Sequence, residues 1–188
     1  MKPAPRIFLK ALLSVPVGYG LAYPFFHPEA GGGILAEMQR FGQGTGAAVA
    51  LVFLALVYLY ARDLKTSLSL VSPQARRASP ASVWLMFLLP YNFIEDFCIV
   101  ANVARSLEAQ ARSHAGLARF RSFGLASGIG WCAAQLVSLL PNALGSAAGL
   151  AALVFWAWHW AFIRRANRVL GQAAEPASRQ VRRQQGGA

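Results

Sequence analysis

Nearly charge-free apolar runs, each close to the length of a bilayer crossing, recur along this sequence at 7–26, 46–61, 82–103, 122–140 and 145–163. A crossing of the ~30 Å hydrocarbon core takes about 20 mostly apolar residues in a helix that satisfies its own backbone. The composition agrees, with 56% hydrophobic residues, 13% charged and a mean hydropathy of +0.41. An ordinary soluble domain carries about twice that charged share, and a chain this apolar is not mostly disordered. The expected fold class is an all-α integral membrane protein. The second run extends back to 44 through Gly44 and Thr45, and Tyr58 and Tyr60 are expected to mark its interfacial end.

The cations decide how many runs cross. Short loops rich in Lys and Arg stay cytoplasmic. Five crossings would put Arg105, Arg112, Arg119 and Arg121 outside, together with Arg40 and all the arginines of the tail. If the third run instead returns to the side it came from, 17 of the 18 Lys and Arg lie inside and only Arg40 lies outside. The sequence therefore predicts four transmembrane helices, at about 7–26, 44–61, 122–140 and 145–163. A re-entrant or interfacial amphipathic helical segment is expected over 80–110, with both termini cytoplasmic. Residues 1–170 form one membrane-embedded domain in this reading, and the Ala-, Gln- and Arg-rich stretch 171–188 is a disordered basic tail. The Arg-, Ala- and Gly-rich usage points to a bacterial inner membrane.

The third run is the only one with acids inside it, Glu95 and Asp96. Ser79 and Pro80 read as a cap and first helical residue, and Pro90 predicts a kink or turn, with helix resuming after it. At about 100° per residue, Asn92, Glu95, Asp96, Asn102, Ser106 and Gln110 share an arc of about 120°. Such a stripe suits a helix lying in the interface with its acids in water, or one facing a polar cavity inside the bundle. Adjacent acids cannot form the facing pair of a glycosidase or di-metal site. One of them could hold a proton or cation while the other pairs with an arginine, Arg105 or Arg62 being the expected partners.

The remaining features are weaker. Trp156, Trp158, His159 and Trp160, followed by Arg164 and Arg165, read as an interfacial aromatic anchor, alternatively as an aromatic pocket. Gly124 with Gly128, and Gly145 with Gly149, are G-x-x-x-G pairs that bring helix backbones together. Arg105, Arg164, Arg165 and Arg168 are placed to hold anionic lipid headgroups. Cys98 and Cys132 read as free thiols within apolar helices. The glycines at 31–33 and 42–46 frame an outer loop with a short helix around Glu37 and Arg40, and lack the Lys-Ser/Thr of a phosphate-binding loop. The three histidines are scattered and no nucleophile has a base at readable spacing, so no catalytic residue, metal or cofactor is expected.

The leading expectation is a non-enzymatic accessory or scaffold subunit of a larger membrane complex, contacting another membrane protein or its own copies and no nucleic acid. A second is a small transporter or channel component with a polar path lined by Asn92, Glu95, Asp96 and Asn102. A third is a lipid-binding or lipid-active protein at the cytoplasmic leaflet.

Overall fold

The computed structural model describes residues 3–27 and 43–185, and among them every regular element is helical. In chain order these are α1 (Pro3–Phe26), α2 (Gln43–Leu70), a 3-10 helix (Pro80–Phe87), α3 (Asn92–Ala111), α4 (Leu125–Val137) and α5 (Ala143–Gln185). The loop helix expected around Glu37 and Arg40 lies outside the described residues.

Local chemistry sets the boundaries. The Ser79 side chain accepts the Ala81 N–H at 3.3 Å, its carbonyl accepts the Ser82 hydroxyl at 2.7 Å, and Pro80 opens the 3-10 helix. Serine accepts an orphan N–H while proline gives up a donor that the first turn cannot use. The chain then reverses around a cis Leu89–Pro90 peptide, and α3 starts at Asn92. Asn142 Oδ1 accepts the Gly145 N–H at 3.1 Å and so caps α5. Ahead of α4 the backbone turns through Gly124 at φ 76°, where a β-carbon would stand 2.6 Å from the Phe162 ring. Glycine is the residue that adopts this conformation without strain and leaves the ring its room.

Side-chain contacts give each helix its direction. Tyr60 meets Trp156, Asp63 meets Trp160 and Ser67 meets Asn167, so α2 and α5 run parallel. Gly124 backs onto Phe162 and Gly130 onto Phe155, so α4 runs against α5. Lys10 reaches Glu95 while Gly18 backs onto Pro90, so α1 runs against α3. The Ser72 N–H donates to Gln110 Oε1 and the Arg77 N–H to Ser106 Oγ, each at 2.9 Å, which ties the far end of α3 to the chain leaving α2. Residues 80–111 therefore form a helical hairpin. It enters the bundle beside the end of α2, turns at Pro90 and comes back out at the same end.

The core gathers around the half of the bundle that holds this hairpin. Tyr60, Leu64 and Leu68 of α2 pack there with Val83, Val100, Val103 and Leu107 of the hairpin and Ile163 of α5. In the other half, Val49, Leu51, Val52, Phe53 and Leu54 of α2 are exposed in near succession, so most of the helix circumference is bare there. Ile7, Phe8 and Val15 of α1 and Leu150 and Val154 of α5 are exposed as well.

Two helices are long and apolar enough to cross a membrane, Thr45–Leu70 and Ala143–Gln172. Ile7–Tyr23 and Leu125–Val137 are shorter. The thirteen residues of α4 rise only ~20 Å, less than the ~30 Å core, because the chain tightens into turns from Ser138 although the apolar pattern runs on. By length and composition, two of the four expected crossings are thus supported. α5 continues through Gln185, into the stretch 171–188 expected to be a disordered tail. Ala, Gln and Arg form helix readily, and low hydrophobicity argues against packing rather than against helix.

Candidate functional site

Four of the stripe residues are buried: Asn92, Glu95, Asp96 and Ser106, with Asn102 half-buried. The polar face of α3 is therefore turned into the bundle and not toward water. Its two halves differ in use. Ser106 Oγ accepts the Arg77 N–H and donates to the Asn102 carbonyl at 2.6 Å, so with Gln110 it fastens the 71–79 connection onto α3. The inner half, Asn92, Glu95 and Asp96, faces α1 and the core.

Glu95 forms an ion pair with Lys10 at 2.5 Å, and neither Arg105 nor Arg62 is its partner. The arginines are ruled out by depth, since α3 climbs away from Glu95 before it reaches Arg105. Lys10 lies in an otherwise apolar stretch of α1, and its side chain turns inward to Glu95. The Ser14 hydroxyl donates to the Lys10 carbonyl at 2.9 Å on the same face.

Asp96 is 2% exposed, and neither ion pair among the described residues involves it. Its Oδ1 is buried without a hydrogen-bond partner, and so are Tyr60 Oη, Asn92 Oδ1, Trp156 Nε1 and His159 Nε2. Tyr60 of α2 and Cys132 of α4 are buried in the core cluster that α3 packs into. Tyr60 in turn meets Trp131, Trp156, His159 and Trp160 with ring centroids 5.4 to 6.0 Å apart. Polar groups from α2, α3 and α5 thus share one buried region whose hydrogen-bonding capacity is partly unused. Native interiors leave few such groups, and each calls for a reason.

The aromatic anchor divides. Trp156, His159 and Trp160 recur at helical spacing and turn inward, His159 being fully buried, while Trp158 is 61% exposed. Only Trp158 fits an interfacial anchor. His159 Nδ1 lies 3.2 Å from Ser127 Oγ, whose proton goes to the Gly124 carbonyl, so the ring donates there and leaves Nε2 as an unused acceptor. Tyr60, expected at an interface, is completely buried; Tyr58 is exposed and stacks on Trp84. All four glycines of the G-x-x-x-G pairs are buried within the chain, Gly128 against Val100 and His159. Cys98 and Cys132 are free, and among the described residues no three His, Cys, Asp or Glu side chains converge on a metal position.

The headgroup arginines separate as well. Arg164 lies 3.8 Å from Asp63 and Arg165 stacks over Phe120, while Arg105 belongs to a different face with Arg77 and Arg112. Asp63 is the centre that sequence reasoning missed. Its Oδ2 accepts Trp160 Nε1–H at 2.7 Å, and its carbonyl accepts from Asn167 at 2.8 Å. Ser67 donates its single hydroxyl proton to Asn167 Oδ1 at 2.6 Å, closing a network between α2 and α5. A lone acid in a basic stretch of an apolar helix was the available signal. Asp63→Ala is expected to cost about 2 kcal/mol by stranding the indole N–H. Arg164→Gln should change little, because that side chain is 69% exposed. Thermal melts in detergent followed by circular dichroism check both.

No protein-family model matches the chain, and no curated protein and no solved structure matches it.

Proposed function

We propose that this chain is a small polytopic membrane protein that moves protons or small cations, with Asp96 as the group that binds them. In this reading α1, α2 and α5 cross the bacterial inner membrane, the short α4 completes a fourth crossing with the turns that follow it from Ser138, and the 80–111 hairpin enters and leaves on the cytoplasmic side. The bare apolar surface of α2 supports the membrane setting, since soluble proteins rarely leave apolar patches of that extent facing water. The orientation is supported by the cations: Arg76, Arg77, Arg105, Arg112, Arg119 and Arg121 belong to the open end of the hairpin and the loop that follows it.

The observation that carries the proposal is the contrast between neighbouring acids. Glu95 is compensated by Lys10, whereas Asp96 is buried with no cation and an unused oxygen. A carboxylate taken out of water alone costs several kcal/mol, so such a position is suited to taking up and releasing a positive charge. Two acids with divergent surroundings take divergent roles: Lys10–Glu95 holds α1 on the hairpin, and Asp96 exchanges its ligand with Tyr60, Asn92 and Asn102 along the path. The scaffold reading loses its main motive, because the glycine faces offered to a partner are filled from within the chain.

The test is reconstitution of the purified chain in liposomes containing a pH-sensitive dye, with an imposed potential to drive entry. Proton or cation flux above that of protein-free vesicles is expected for the wild type. Asp96→Asn should return it to the protein-free level while melting like the wild type. Wild-type flux equal to empty vesicles, or full flux in Asp96→Asn, would overturn the proposal.

A further inference from the structure

Outside the buried acidic region, at the end of the bundle where the hairpin emerges, Arg77, Arg105, Glu108, Ala109 and Arg112 line a polar cavity of about 380 Å³. The last four lie at i, i+3, i+4 and i+7 along α3 and its capping residue Arg112, which keeps helical backbone angles, and this places them on one face over two turns. Arg77 comes from the connection after α2, and its backbone is held there by the hydrogen bond from its N–H to Ser106 Oγ. The third cation is thus positioned by the same serine that anchors the outer half of the stripe.

Three guanidiniums around one cavity repel each other, and a single carboxylate, Glu108, does not balance them. Both ion pairs among the described residues lie elsewhere, at Lys10–Glu95 and Arg164–Asp63. All three arginines are exposed, so an anion arriving from solution or from a membrane surface can reach them. A guanidinium presents a planar fork that matches two phosphate oxygens at once, and several forks facing one volume favour a phosphoryl group over a monovalent halide. The depth fits as well: the cavity lies just beyond Leu70, the last residue of the apolar helix α2, where headgroup phosphates stand if α2 crosses the bilayer.

We infer that Arg77, Arg105 and Arg112 form a binding site for a phosphoryl anion, supplied by an anionic lipid headgroup or by free phosphate. The site is independent of the transport reading, because it uses no residue of the Asp96 region.

The experiment is native mass spectrometry of the full chain released from detergent micelles doped with phosphatidylglycerol and phosphatidylcholine. Preferential retention of phosphatidylglycerol is expected, weakened about tenfold or more in Arg105→Gln/Arg112→Gln. Arg164→Gln/Arg165→Gln removes the same charge from the same end of the bundle and should leave retention unchanged. Loss of phosphatidylglycerol on adding millimolar inorganic phosphate would identify free phosphate as the occupant, and retention would identify the lipid; both outcomes uphold the site. Equal retention in Arg105→Gln/Arg112→Gln, or equal loss in the Arg164/Arg165 variant, would overturn it by showing that only diffuse charge matters.

Discussion

Glu95→Gln is expected to loosen α1 from the hairpin and lower stability by about 2–3 kcal/mol, and adding Lys10→Met should recover most of that loss. The first effect follows from leaving an ammonium with no counter-charge where only 24% of its side-chain surface reaches solvent. Breaking a fully buried pair costs about 3–5 kcal/mol, and the partial exposure of Lys10 reduces that figure. The recovery follows from the same physics. Removing both charges eliminates two desolvation costs along with one attraction, and methionine keeps the length of the lysine stem. A double-mutant cycle on the melting transition measures the coupling.

A second readout is local. Cys98 is half-buried one turn along α3 from Glu95, whereas Cys132 on α4 is buried. Maleimide labelling of Cys98 should accelerate in Glu95→Gln, return toward the wild-type rate in the double variant, and remain slow at Cys132 in both. Unchanged Cys98 labelling together with an unchanged melt would mean that α1 is held by its apolar contacts alone.

Gly128→Leu is expected to have the larger effect on the bundle itself, a loss of about 4 kcal/mol or failure to fold. A β-carbon at this position would stand 2.3 Å from Val100 Cγ1 and 3.0 Å from the His159 ring. Val100 and His159 are both fully buried, so neither can swing aside without displacing α3 or α5. Overpacking by single methylenes costs about 1–3 kcal/mol in a close-packed core, and a leucine adds several carbons on top of the forbidden one. Gly128→Ala should already cost about 2 kcal/mol, and Val100→Ala in the same chain should relieve much of it by removing the clashing methyl. Gly130→Ala is the internal control. Its β-carbon meets the edge of the Phe155 ring at 2.9 Å, and Phe155 is only half-buried and able to rotate. If Gly128→Ala melted like the wild type, the close approach of α3, α4 and α5 at this point would be wrong.

Much of the architecture was readable because it depends on local chemistry. Apolar runs become helices whatever surrounds them, Ser79 and Pro80 start a helix from their own side chains, and Pro90 breaks one by lacking a donor. The return of the 80–111 segment to its starting end followed from the placement of arginines, and the hydrogen bonds from Ser72 and Arg77 to α3 agree with it. Helical spacing also placed Asn92, Glu95, Asp96 and Ser106 on one face.

What spacing cannot give is the side on which a face ends up, because an amphipathic stripe satisfies its polar groups equally well in water or against polar partners. Only the packed bundle turned that stripe inward. It paired Glu95 with Lys10 across 85 residues of chain, although Arg105 is far nearer in sequence. The same limit explains the misreading of Trp156, His159 and Trp160. Aromatic rings before arginines look alike whether they meet lipid or Tyr60, and the helix rotation that separates them from Trp158 is set by α2 and α4. Asp63 was illegible for a related reason: its meaning lies in Trp160 and Asn167, about a hundred residues away, and only tertiary contact brings a hydrogen-bond donor to a particular oxygen. Hydropathy and charge are summed along a chain, and so they determined the helices and the basic end. Hydrogen bonds and ion pairs act over a few ångströms between unrelated positions, and those the tertiary structure alone decided.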